Sequence, residues 1–257
     1  MVDATAVEQR GAIRWRPYQV YLVALLLLIT VCNYLDRIII GVLQEPIKRE
    51  LGLSDAQLGL LSGPAFAIFY SVAGIPVARL AERMHRGGLM AAAVAVWSAM
   101  TALCGTVTGF VQLLVCRVGV GMGEGGCIPI SHSLLADNFS MRQRGVVMSI
   151  VSAAPSLATI LAPVIGGLIA QHYGWRMAFL VVGIPGLALA LLTWFTLKEP
   201  RKEREAAGQP APRKSSNFLQ DLRWLLAKPA FVLVWIGGAF IGVAYSGLTV
   251  FTVSFMV

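Results

Sequence analysis

Residues 30–43 read TVCNYLDRIIIGVL, an aspartate and an arginine side by side in an apolar run that begins at Tyr18. From Tyr18 to Leu43 the run exceeds the about 20 apolar residues that a bilayer-spanning helix needs. Its neighbours repeat the pattern. Comparable runs extend over Leu58–Arg79, Leu89–Phe110, Val111–Ala136, Val146–Ala170, Arg176–Leu197 and Phe231–Val257. None alternates polar and apolar residues as a transmembrane barrel strand must. The fold class predicted is therefore an all-α membrane protein, with six complete spans and a seventh that reaches the end of the chain.

Composition agrees. Hydrophobic residues make up 57% of the 257 and charged residues 13%, where a soluble domain carries roughly 25% charged residues. So little polar surface cannot wrap a core in water. The first apolar run is too long for the h-region of a signal peptide and leads into charges, so no cleavable signal is expected.

Basic residues set the expected orientation, because Lys and Arg collect in cytoplasmic loops. The arm at 1–17 holds Arg10, Arg14 and Arg16; the loop after span two holds Arg79, Arg83 and Arg86; the loop after span four holds Arg142 and Arg144. With the segment Lys198–Lys228 these hold 16 of the 21 basic residues. The N-terminus is expected in the cytoplasm. The net charge of +8 then reflects topology and contact with anionic membrane lipids rather than nucleic acid. The domain plan is an arm at 1–17, a six-helix bundle at 18–197, a linker at 198–230 and a seventh helix at 231–257. Within the linker, Phe218–Ala227 reads either as an amphipathic helix on the inner leaflet, with Phe218, Leu222, Leu225 and Leu226 on one face, or as a solvated tether.

Four charges remain inside spans: Asp36, Arg37, Arg117 and Glu124. Ionised groups there are expensive and usually line a substrate or ion path, although such pairs also lock helices together. At a rise of ~1.5 Å per residue, Asp36 and Arg37 lie about 8 to 9 Å outward of the middle of span one. Arg117 lies about 9 Å outward in span four and Glu124 near its middle, on the same scale. Asp36 and Arg117 are level and expected to pair. Glu124, seven residues from Arg117 on one helix face, has no complementary charge at its own depth. Low dielectric disfavours its charged form unless Arg37 or Arg117 reaches it, which marks it as the candidate proton site.

Several other signals carry no chemistry. Cys32, Cys104, Cys116 and Cys127 all fall in spans without metal or disulfide spacing, and read as small core residues. Gly121-x-Gly123-x-x-Gly126 matches a dinucleotide fingerprint but lies inside an apolar span rather than after a strand. Close helix packing through Gly119-x3-Gly123 and Gly121-x3-Gly125 is the better reading. Ser131-His132 has no nucleophile elbow or acid to complete it. No enzyme activity, cofactor or metal is expected.

These residues carry a resemblance. Arg117-x3-Gly121-x3-Gly125 resembles the fourth-helix motif of the major facilitator superfamily. Ala78-Arg79-Leu80-Ala81-Glu82-Arg83-Met84-His85-Arg86 resembles its signature G-x-L-A-D-R-x-G-R, with Ala78, Glu82 and His85 as departures. Ala162-Pro163-x-x-Gly166-Gly167 is similar to its antiporter motif. Asn33-Tyr34-Leu35-Asp36-Arg37, Gly123-Glu124-Gly125, Ala136-Asp137 and Asp221-Leu222-Arg223 look most like Spinster-type lipid transporters. Organic anion:cation symporters share the first two patterns.

The resemblance implies two six-helix bundles rocking about a midplane site, so the chain reads as one bundle plus the start of a second, C-terminal one. It implies proton-coupled transport of an amphipathic lipid, or of an organic anion in the runner-up reading, with the proton gradient as driving force. A non-transporting membrane partner subunit is the third reading. Asp36, Arg37, Arg117 and Glu124 would form the proton-coupling network. Thr30, Asn33, Arg37, Ile128 and Ser131 would line the substrate cavity, a headgroup meeting Arg37 or Arg117. Glu82, Arg83, Arg86 and Arg144 would latch the cytoplasmic gate, and a bacterial inner membrane is the expected location.

Overall fold

A computed structural model describes residues 15–199 and 218–255. Arg10 and Arg14 of the arm, residues 200–217 of the linker and the last two residues of the seventh run lie outside the described residues. Among those described, the elements are all helices: α1 (Pro17–Val42), α2 (Gln44–Leu51), α3 (Asp55–Ser62), α4 (Pro64–Arg83), α5 (Arg86–Cys104) and α6 (Phe110–Glu124). They continue as α7 (Cys127–Asn138), α8 (Met141–Ser152), α9 (Ala154–Tyr173), α10 (Trp175–Thr196), α11 (Phe218–Leu226) and α12 (Pro229–Phe255). Six stretches are long and apolar enough to cross a membrane: α1, α3 with α4, α5, α6 with α7, α8 with α9, and α10.

Helix boundaries follow local chemistry. Pro17 starts α1, where its missing N–H is no loss, and Gln19 Oε1 accepts the Arg16 N–H at 2.8 Å. Ser54 and Gln57 close a capping box at α3, Ser140 and Gln143 another at α8, each satisfying donors that the first helical turn leaves over. Gly52 ends α2 with φ +63, a left-handed conformation that a Cβ resists. Short α2 is a turn of structure that the apolar-run reading passed over, because its sequence QEPIKREL is polar.

Spans one and five pack together, as do three with six, three with four, and two with four. Small residues set the closest crossings. A Cβ at Gly183 of α10 would meet the Ala102 backbone nitrogen of α5 at 2.6 Å. On α6, Gly123 faces Trp97 of α5, while Gly121 and, just past the helix end, Gly125 face Phe66, Tyr70 and Gly74 of α4. The apolar core falls into two clusters. One holds Leu22, Leu26 and Ile29 of α1 with Trp97, Leu134 and Val147. The other holds Val31, Leu35 and Ile39 of α1 with Leu61, Leu113, Trp175 and Phe179. Their boundary on α1 falls at Thr30, so the polar residues of the opening stretch begin where one apolar half gives way to the other.

Candidate functional site

Span four is interrupted at the charge it carries. Helix α6 ends at Glu124, Gly125 and Gly126 form a turn, and α7 resumes at Cys127. Glycine is required here for space. A Cβ on Gly125 would stand 2.5 Å from the Tyr70 carbonyl oxygen and 2.9 Å from the Gly74 nitrogen. This close approach sets Glu124 beside α4 and opposite α1.

Arg37 reaches Glu124 from α1. Its Nε donates to Glu124 Oε2 at 2.7 Å, and its Nη2 donates to Asn33 Oδ1 at 3.0 Å. Glu124 is wholly buried, whereas the Arg37 side chain keeps 22% of its surface exposed. Three aromatic rings surround the guanidinium: its carbon lies 4.4 Å from the centre of the Tyr70 ring, 5.0 Å from Tyr34 and 5.1 Å from Phe66. All are within the roughly 6 Å over which a ring quadrupole attracts a cation. Arg117 lies over Phe66 as well, at 5.4 Å.

This geometry corrects two expectations. Of the two arginines left open as able to reach Glu124, Arg37 does so, which narrows the expectation that no complementary charge stands at its own depth. Arg117 meets Asp36 through the backbone instead: Nη1 donates to the Asp36 carbonyl at 3.3 Å, and the two charged groups form no ion pair among the described residues. Asp36 and Arg117 are nonetheless both buried. Asp36 Oδ1, Glu124 Oε1, Asn33 Nδ2, Thr101 Oγ1 and Ser131 Oγ find no hydrogen-bond partner among the described residues. Buried polar atoms are normally satisfied, so such a cluster calls for an explanation beyond packing.

The other predicted cavity residues divide. Asn33 on α1 is buried, and, shortly after Glu124 along the chain, Ser131 is buried and Ile128 half-buried. Thr30 turns its hydroxyl back to the Leu26 carbonyl at 2.6 Å, a bond within its own helix. Sequence reasoning missed Tyr34, Phe66 and Tyr70 as partners of Arg37. The spacing of Phe66 and Tyr70, one turn apart on a span, reads equally well as ordinary apolar packing.

A second charged cluster stands at the far end of the bundle. Arg86, the first residue of α5, is fully buried. Its guanidinium meets Asp137 Oδ2 at 2.7 Å and Glu199 Oε1 at 2.5 Å, and Nη1 donates to Ser133 Oγ at 2.8 Å. The Arg86 backbone N–H also donates to Glu199 Oε2, at 2.7 Å. Of the four predicted latch residues, Arg86 is therefore the one at the centre, with acids from α7 and the end of span six. Glu82 and Arg83 are exposed. Arg144 donates to the backbone carbonyls of Phe139 and Ala136, at 3.2 Å and 2.5 Å. Glu199 was passed over because it follows span six in Lys198-Glu199-Pro200, which reads as the start of a charged linker.

The comparisons match this architecture. Residues 26–257 fit the model of the Major Facilitator Superfamily. An MFS-type efflux pump of Mycolicibacterium smegmatis is 38% identical over 91% of this chain and 53% of its own length. A probable L-galactonate transporter of Escherichia coli is 31% identical over 79% of the chain and 44% of its own length. Among solved structures, a bacterial homologue of the human lysosomal transporter Spinster, in an inward-facing and unoccupied conformation, superposes with a TM-score of 0.77 at 32% identity. That match covers 95% of this chain and 56% of that one. The chain spans about half the length of the relatives it matches. Six apolar spans, glycine-mediated crossings and these matches place the chain, an integral membrane protein with Spinster-like sequence and structure, in the Major Facilitator Superfamily.

Proposed function

We propose that the full-length protein is a proton-coupled carrier of amphipathic lipids that works by alternating access. The observation that carries the reading is the Arg37–Glu124 pair: one wholly buried carboxylate with one oxygen bonded and the other without a partner. Protonating Glu124 removes the charge that holds Arg37 and gives Arg37 over to an anionic headgroup. An exchange of this kind couples a proton to a substrate, since each biases the same side chain. Asp36 and Arg117, both buried, extend the network on the same two spans. An apolar recess of about 270 Å³ formed by Phe69, Val72, Ala73, Pro76, Val77 and Met122 lies along α4, the helix that carries Tyr70, and suits a hydrocarbon chain.

In this reading the Arg86 end and the N-terminus face the cytoplasm of a bacterium, following the distribution of basic residues. Arg86, one of the four expected latch residues, holds that end of the bundle together with Asp137 and Glu199. The resemblance to the bacterial Spinster homologue favours a lipid. The similarity to the probable L-galactonate transporter favours an organic anion as the second reading, with Arg37 binding its carboxylate.

The test is flux into proteoliposomes under an imposed pH gradient, with a fluorescent lysophospholipid and a sugar acid as substrates, for the full-length protein and Glu124→Gln. Lysophospholipid flux that needs both the gradient and Glu124 supports the proposal. Sugar-acid flux alone transfers the case to the organic-anion reading, and gradient-driven flux undiminished in Glu124→Gln removes Glu124 as the proton site.

A further inference from the structure

We infer that the set of rings around the Arg37 guanidinium is an organic-cation site, taken in turn by Arg37 and by the ammonium group of a ligand. The inference rests on the proposal that this pair lines the transport path. It deepens that proposal by naming the cationic half of the ligand. An arginine that only had to neutralise Glu124 would need one carboxylate and one more acceptor, which Glu124 and Asn33 supply at 2.7 Å and 3.0 Å. Three further aromatic faces within 5.1 Å are more than that task requires. Rings from two helices around a cation that a buried carboxylate bonds form the kind of aromatic cage that recognises quaternary ammonium groups.

Two more observations point to exchange. Arg37 is the more open partner, with 22% of its side chain exposed while the carboxylate it bonds has no exposure. Glu124 Oε1 has no hydrogen-bond partner among the described residues, so Arg37 leaves acceptor capacity unused. The ligand class is an amine or quaternary ammonium carried on an apolar body. A zwitterionic headgroup would satisfy both partners at once, its ammonium in the cage and its anion on the displaced Arg37.

Arg37 acts as a tethered competitor, present at an effective concentration on the order of mM. Removing it should raise the affinity of a free cation. The probe is hexyltrimethylammonium, titrated calorimetrically into the full-length protein in nanodiscs near neutral pH. Arg37→Ala, with Arg37→Gln as a second route if the alanine variant unfolds, is expected to bind the probe roughly tenfold more tightly or better than wild type. That gain should vanish on adding Tyr70→Leu or Glu124→Gln. Unchanged or weaker binding in both Arg37 variants overturns the inference, as does a gain that survives Tyr70→Leu. The assay reads binding and not flux. Loss of transport with probe binding intact would therefore refute the carrier proposal and leave the cage standing.

Discussion

The protein buries two arginine head groups against carboxylates in opposite ways. Arg86 is enclosed by two acids, a serine and a backbone carbonyl, and its own backbone N–H is bonded to Glu199 as well. Arg37 has one acid, one amide and three rings, it remains partly exposed, and its partner carboxylate is half satisfied. A buried ion pair is held chiefly by the hydrogen bonds that complete it. The complete set around Arg86 makes a fixed node between α5, α7 and the end of span six. The incomplete set around Arg37 leaves the pair that, on the carrier proposal, a proton or a ligand parts. Identical charge chemistry thus yields a fully bonded arginine at the end of the bundle and an incompletely bonded one at its middle, the one the proposal makes exchangeable.

The largest expected effect breaks the Arg86 node. Arg86→Met removes the cation between Asp137 and Glu199, and removing one partner of a buried pair typically costs about 3–5 kcal/mol. Thermal unfolding of the full-length protein in detergent should show a loss of that order. Arg37→Met should destabilise less, because Glu124 retains Asn33 as a neighbour and can take up a proton. If Arg37→Met proved the more damaging substitution, the distinction between the two clusters would fail.

Next in size is a steric test of the exchangeable site. Gly125→Ala pushes a methyl group toward the Tyr70 carbonyl and Gly74, both backbone atoms that cannot swing aside. Overpacking of this kind costs about 1–3 kcal/mol. It also moves Tyr70 away from Arg37, so altered gradient-driven flux should accompany the lower unfolding midpoint. Gly167→Ala, where nothing lies within 4 Å, serves as the control and should be neutral or gain up to about 1 kcal/mol from helix propensity. Equal effects at the two positions would show that Gly125 is not a packing constraint.

How legible each region was follows from the range of its interactions. Fold class depends on run length and on the near absence of charge, both local properties, and TVCNYLDRIIIGVL with its neighbours carries them openly. The glycine spacing on span four was legible for the same reason, since one turn of helix fixes which residues share a face. Pairing across helices was not. Depth along a span placed Arg117 level with Asp36 but could not say that its head would turn to a carbonyl, nor that the Arg37 side chain would bridge to Glu124. Tyr34 sat inside the quoted stretch and was still missed, because a tyrosine three residues from an arginine becomes a partner only once α4 delivers Phe66 and Tyr70 beside it. Glu199 was hidden by its neighbourhood: charge density marked a loop, while the fold returns that residue to the bundle.

The smallest effect sharpens the comparison from outside, at an arginine–carboxylate contact that belongs to neither cluster. Glu50, exposed at the end of α2, accepts from the Trp175 indole at 2.6 Å and pairs with Arg176. The indole hydrogen bond, and then the guanidinium, hold its carboxyl below the usual glutamate value. A carboxyl whose folded value is depressed stabilises the fold above its unfolded value, about 4.3 for glutamate, and loses that contribution as pH falls through the folded value. The contact should therefore be intact at neutral pH and begin to weaken below about pH 5. Wild type minus Glu50→Gln, compared as unfolding midpoints at neutral and acid pH, isolates it from the other carboxylates. The difference is expected to be small and positive at neutral pH and to vanish in acid, and added salt should shrink it because exposed charges are screened. A difference that persists in acid would mean that Glu50 acts through packing against Trp175 rather than through its charge. Burial, on that result, would no longer be what separates the two interior arginines from this one.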